Sequence, residues 1–238
     1  MNQFERLLDS LQKGYYVQVL LFVVEFFALV FAFLYSRKTK IGRFFIFYIA
    51  FDFAILIGSV YLVTNSTKTE AFANTVFNYT NTLIALVELL VYYYFFSKTL
   101  SPRWINSLMK ILALLYILLI IVFTITKFSF LSPRFSYISY LLGAMEFVFL
   151  LPPCMVFFYE LLNSKSELPL FKRPSFWITT GIFFFSIISI PYYLVLKYIS
   201  SNKKELTDIL AAVFYYLPFT INFVFLCKAF LCKKTLTT

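Results

Sequence analysis

The sequence predicts an all-α, polytopic integral membrane bundle of seven transmembrane helices forming one domain over residues 1–238. Two observations carry this. Of the 238 residues, 61% are hydrophobic, 22% aromatic and only 13% charged, whereas a soluble globule devotes roughly a quarter of its residues to charge. Apolar runs of the length a bilayer demands, about 20 residues each, also recur along the chain between short polar loops. They fall at 15–35, 44–63, 76–96, 105–126, 137–159, 176–196 and 209–230. Helices and loops consume the chain, so any output has to come from the bundle or from a partner protein.

Before the first span, Phe4, Leu7, Leu8 and Leu11 recur at helical spacing and Gly14 is placed to end the turn. This predicts an amphipathic segment over 1–14 lying at the membrane interface. The first span is too long for a signal peptide and has no small-residue cleavage site after it, so it is expected to remain in the mature protein.

Helix 1 aligns Gln18, Glu25, Ala28, Ala32 and Ser36 on one face; helix 2 aligns Tyr48, Asp52 and Ser59. Helix 3 carries the longest stripe, with Asn74, Asn78, Asn81, Ala85, Glu88 and Tyr92 at three-and-four spacing. Helix 4, with Leu112, Leu114, Leu115, Ile117, Leu118, Leu119, Ile120 and Ile121, shows no inward polar face near its centre and is expected at the lipid-facing periphery. Helix 5 contributes Glu146, helix 6 Thr179, Ser186, Ser189 and Tyr193, and helix 7 Tyr215, Pro218 and Asn222. Pro152, Pro153, Pro191 and Pro218 are expected to interrupt helices 5 to 7 and free backbone carbonyls, which at membrane depth need a polar group, water or a ligand. Tyr192, Tyr193, Tyr215 and Tyr216 beside two of these prolines could pack, anchor at the interface or line an aromatic cage.

The acids carry the functional signal. Glu25, Asp52, Glu88 and Glu146 lie near the middle of helices 1, 2, 3 and 5, and no lysine or arginine matches their depth. An ionised carboxylate there costs a few kcal/mol even on the mildest insertion scale. The acids therefore face the bundle interior, as protonated carboxyls sharing hydrogen bonds or as ligands of a cation. The residues expected to form a ligand- or ion-binding seam are Glu25, Asp52, Asn78, Asn81, Glu88, Tyr92, Glu146, Ser186, Tyr193, Tyr215 and Asn222. A purely structural role, as interhelical hydrogen-bond glue, is the competing reading.

The net charge of +10 reflects topology rather than nucleic-acid binding. Arg37, Lys38, Lys40, Arg43, Lys98, Arg103, Lys165, Lys172, Arg173, Lys228, Lys233 and Lys234 cluster on alternate loops and outnumber Arg6, Lys13, Lys68, Lys127, Arg134, Lys197, Lys203 and Lys204 on the opposite side. The positive-inside rule puts those loops in the cytoplasm, with the N-terminus outside, in a plasma (inner) membrane. The same basic rim could hold anionic headgroups.

Cys154, Cys227 and Cys232 lack the spacing of a metal knuckle or a disulfide framework, and the absence of histidine excludes His-ligated haem and zinc. No metal or cofactor is expected. A retinal pigment would need a lysine midway along helix 7, where Phe219, Thr220, Ile221 and Asn222 stand. A Gly-x-Ser-x-Gly motif and a nucleophile–base pair are also missing, so an enzyme is not expected.

Val24-Glu25-Phe26-Phe27 and Met145-Glu146-Phe147-Val148 share a local look, as would suit parallel repeats of helices 1–3 and 5–7 joined by helix 4; a rhodopsin-like shape fits the helix count equally. Through Glu88-Leu89-Leu90-Val91-Tyr92-Tyr93-Tyr94-Phe95-Phe96-Ser97-Lys98 and Pro174-Ser175-Phe176-Trp177-Ile178, the chain resembles an uncharacterised family of small seven-helix bacterial membrane proteins. That resemblance implies a membrane sensory module working beside a separate histidine kinase. Two functions follow as expectations. One is a receptor-like module that binds a small ligand or a proton in the seam and signals through such a partner, or as a homo-oligomer. The other is a carrier or channel for protons, cations or a small solute.

Overall fold

A computed structural model describes residues 16–37, 39–65, 70–126, 133–163, 169–199 and 212–232. The expected amphipathic segment lies outside them. The described residues are all-helical. The helices are α1 (Tyr16–Phe31), running into a π-helical turn (Ala32–Ser36), α2 (Lys40–Asn65), α3 (Glu70–Thr99), α4 (Arg103–Thr126) and α5 (Pro133–Asn163). A 3-10 turn (Leu170–Lys172) leads to α6 (Pro174–Ile199), and a second π-helical turn (Ala212–Tyr216) leads to α7 (Leu217–Leu231).

Six of these helices, α1 with its π turn through α6, are long and apolar enough to cross a membrane, whereas α7 has 15 residues and falls short alone. The chain is thus read as a multi-pass membrane protein.

Local chemistry explains the helix starts. Thr39 places its hydroxyl 3.0 Å from the Gly42 amide, capping α2. Pro133 and Pro174 open α5 and α6, where a missing N–H costs nothing. Trp177 donates from its indole nitrogen to the Phe171 carbonyl at 2.9 Å and pins the 3-10 turn to α6. Pro152, Pro153 and Pro191 do not interrupt their helices. Each sits inside a continuous one, because the neighbouring turns carry α6 past one lost hydrogen bond and α5 past two; Pro218 alone of the four lies at a junction, just after the π turn gives way to α7.

Consecutive helices pack together, and α1 also meets α7, so the bundle closes. A further contact between α3 and α5 leaves α4 outside a ring of six. The outward faces are apolar: Ile111, Leu114 and Leu118 on α4, Phe33 on the π turn and Phe47 on α2 are more than half exposed. Such a surface fits lipid, not water. The core is aromatic, with Phe45, Tyr48, Tyr92, Phe95, Phe96, Phe185 and Phe223 all buried.

The peripheral position expected for α4 holds, but its apolar character is incomplete. Ile105, Met109 and Tyr116 form its inward ridge, and Tyr116 is fully buried. A helix touching two neighbours still has one inward stripe, and in α4 that stripe carries a hydroxyl.

Candidate functional site

The four acids expected to face inward do so: Glu25 is 1% exposed, Asp52 4%, Glu88 3% and Glu146 2%. They come from α1, α2, α3 and α5 and lie in electrostatic reach of one another. Glu25 faces Asp52, Asp52 faces Glu88, and both Asp52 and Glu88 face Glu146. Periodicity gave each acid its inward face; the packing of α2 on α3 and of α3 on α5 brings them together.

Aromatic hydroxyls surround the row. Tyr92 and Tyr48 face the Glu88 carboxyl, Tyr48 without closing a well-formed hydrogen bond. The Asn222 side-chain amide donates to the Tyr92 hydroxyl at 3.0 Å. That single bond ties α7 to α3 and, through Tyr92, to Glu88. Tyr116 reaches Glu146 first and Glu88 more weakly from α4. One oxygen on each acid stays without a hydrogen-bond partner inside the fold, as do the hydroxyls of Tyr116, Thr179, Ser186 and Ser189 and the Asn222 Oδ1. Native interiors rarely leave so many buried polar atoms unpaired, and such groups concentrate where a protein binds something.

A cavity of about 30 Å³ lies between Glu88 and Glu146. Asn81, Thr82, Ile84 and Ala85 line it from α3, Tyr116 from α4, Leu142, Gly143 and Phe147 from α5, and Phe185 and Tyr193 from α6. Its volume admits one or two water-sized species and no organic molecule. Two glycines shape the surroundings. A Cβ on Gly143 would come within 2.8 Å of the Tyr193 ring, and one on Gly181 within 2.6 Å of the Asn222 Oδ1.

Of the remaining expected seam residues, Asn81 and Tyr193 line the cavity, whereas Ser186 is fully buried in α6 without lining it. The side chains of Asn78 and Tyr215, like those of Gln18, Ser59 and Asn74, lie outside the described residues. Of Tyr192, Tyr193 and Tyr216, the described tyrosines considered for an aromatic cage, Tyr193 lines the cavity, and Tyr192 meets it edge-on at 5.4 Å. Sequence reasoning missed Tyr116, Gly143, Phe147 and Phe185. Tyr116 had a signal, as the one hydroxyl in the run from Leu112 to Ile121.

Among the described residues, no three cysteine, aspartate or glutamate side chains converge as a metal cage. The acids run as a row across four helices instead. Four ionised carboxylates cannot share such an interior without compensating charge, since each isolated ion costs several kcal/mol to bury and neighbours repel. Protons or a cation held by the row would supply that compensation. Comparison of the chain with known protein families, with curated proteins and with solved structures gives no significant match, so the site rests on its own chemistry.

Proposed function

We propose that this protein is a proton-responsive membrane sensory module, whose receptor site is the carboxyl row Glu25–Asp52–Glu88–Glu146. One observation carries the reading: Glu88 and Glu146 flank a cavity of about 30 Å³, too small for the organic ligand the sequence left open and sized for a proton with a water. A row rather than a cage favours protons over a coordinated metal cation.

The protonation state of Glu88 would be passed to α7 through Tyr92 and Asn222. While Glu88 is charged, Tyr92 donates to an anion and its oxygen becomes a better acceptor for the Asn222 amide. Neutralising Glu88 weakens both bonds and loosens α7, whose start is a π-helical turn followed by Pro218. Such turns mark functional sites often. A partner protein, such as a histidine kinase, or a second copy would read the moving end.

In this reading α7 and its π turn, together 20 helical residues over 212–231, make a seventh crossing of about 30 Å. The ends bearing Arg37, Lys40, Lys98, Arg103, Lys172 and Lys228 face the cytoplasm and the N-terminus lies outside. No catalytic role is proposed.

A second reading, a proton or cation carrier, is favoured by Glu25 and Asp52, which extend the acidic row beyond the cavity as a relay would. Proton and sodium flux into sealed proteoliposomes separates the two. The sensory module is expected to be silent for both ions while remaining folded. Sustained flux abolished by Glu88→Gln would overturn it and establish the carrier.

A further inference from the structure

Glu88 Oε1 and Glu146 Oε1 are both buried without a hydrogen bond inside the fold, so these two oxygens do not bond to each other. Both residues nevertheless line the same cavity of about 30 Å³. A third oxygen shares the condition. The Tyr116 hydroxyl is unpartnered, its residue is fully buried, and it lines that cavity from α4. Three helices, α3, α4 and α5, thus each bring one buried, unpaired oxygen to a single small space.

Packing alone does not account for the hydroxyl. The Tyr116 ring sits edge-on against Phe149 of α5 at 6.3 Å, a contact that a phenylalanine would make equally well. A phenol oxygen left unpaired in an apolar interior is costly, and every neighbour of Tyr116 from Leu112 to Ile121 is aliphatic. The oxygen is explained if it has a partner in the cavity.

Size and chemistry select that partner. A cavity holds a water when it offers at least about 10–15 Å³ and two to four polar partners. This one exceeds that volume and presents three unpaired oxygens. Ala85 contributes only a methyl group to its wall, three residues before Glu88, while Phe147 and Phe185 close the apolar side.

One water satisfies all three oxygens. With both carboxyls ionised, it donates one hydrogen to each carboxylate and accepts from the Tyr116 hydroxyl. When the pair takes up one proton, an O–H bond forms on one carboxyl, which then donates to the water. The water donates onward to the remaining carboxylate and still accepts from Tyr116. No covalent bond breaks within the protein, and the pair passes from two negative charges to one.

We infer that Glu88, Glu146 and Tyr116 hold one structural water, and that the row takes up its proton there as a carboxyl–water–carboxylate bridge between α3 and α5. This rests on the proton-binding reading of the row and adds the bound species and a positioning residue, Tyr116, from outside the row. It also makes α4, the helix outside the ring of six, part of the sensor. The other titratable groups facing the pair are Asp52 and Tyr48 from α2 and Tyr92 on α3, with Glu25 of α1 acting through Asp52. From α6, Tyr193 lines the cavity; from α7, the uncharged Asn222 acts through Tyr92.

The test uses the full chain in lipid bilayers, hydrated in turn with ordinary and with oxygen-18 water, and records infrared difference spectra between high and low pH. Oxygen-18 shifts the stretching bands of a bound water and leaves tyrosine bands in place. The wild type should show a pH-dependent water band that shifts with oxygen-18, together with the broad absorption of a shared proton. Ala85→Val keeps every polar group but fills the cavity, and should abolish both. Tyr116→Phe leaves the water two partners, and its band should move to higher frequency, because a water that no longer accepts from a hydroxyl donates less strongly. Leu118→Phe, on the exposed face of α4, should leave both features unchanged.

The carboxyl stretches assigned through Glu88→Gln and Glu146→Gln keep the two readings apart. If neither substitution removes a pH-dependent band, proton binding itself fails, and the inference with it. If those bands are present without an oxygen-18-sensitive partner, or if that partner persists unchanged in both Ala85→Val and Tyr116→Phe, the water bridge is overturned while proton binding stands. A water band displaced by sodium at constant pH would put a metal cation in the cavity and overturn the inference as well.

Discussion

Replacing Tyr92 by phenylalanine removes one oxygen and leaves the ring, so the aromatic packing around it stays and only the polar link is lost. The Tyr92 hydroxyl accepts from Asn222 at 3.0 Å and faces Glu88. Interhelical hydrogen bonds in membranes average about 0.6 kcal/mol and reach about 1.7. This one belongs at the upper end. Asn222 is fully buried, so its amide finds neither water nor lipid headgroup once the hydroxyl is gone, and an orphaned buried donor costs about 1–3 kcal/mol. The expected loss is therefore about 1–2 kcal/mol, within both ranges, measured by equilibrium unfolding in mixed micelles. Asn222→Leu alone should cost a similar amount. The double variant should cost less than the sum of the two by about 1 kcal/mol, because a donor and acceptor removed together leave nothing unpaired. Strict additivity of the two losses would refute the coupling of α7 to the acidic row.

Gly181→Ala should destabilise by about 1–3 kcal/mol, as overpacking does, because its Cβ would stand 2.6 Å from the Asn222 Oδ1 and 3.1 Å from the Phe225 Cβ; the same unfolding assay measures it. Phe223→Ala, in the fully buried aromatic core, should cost about 3–5 kcal/mol, whereas Leu114→Ala, at 67% exposure on the outer face of α4, should change stability by less than about 0.5 kcal/mol. Equal losses at these two positions would contradict the assignment of inner and outer faces.

Much of this arrangement is legible in the sequence because the bilayer simplifies the problem. A span needs a long apolar run and a carboxyl within it needs shelter, so helix positions and the inward faces of Glu25, Asp52, Glu88 and Glu146 follow from periodicity. Glu25, Ala28, Ala32 and Ser36 were read as one stripe and all four are buried. What periodicity cannot supply is which helices touch. The α3–α5 contact creates the cavity, and no residue on either helix announces it alone. Tyr116 escaped notice because a helix apolar around most of its circumference reads as wholly lipid-facing, although one stripe must still meet its neighbours. Pro152, Pro153 and Pro191 do not break their helices, since a long packed helix continues past a missing bond or two, whereas Pro218 does sit at a change of helix type, from the π turn to α7. Gly143 and Gly181 carry meaning only through side chains on other helices, Tyr193 and Asn222.

The most direct test of the carboxyl row is a pH titration of the full chain in bilayers, followed by infrared difference spectroscopy in the carboxyl region. Wild type should show carboxyl bands that rise and fall with pH, and both Glu88→Gln and Glu146→Gln should remove or displace bands beyond their own, because the acids share one electrostatic neighbourhood. A spectrum that stays constant across the titration, or two substitutions whose effects are confined to separate bands, would contradict a shared proton-binding site.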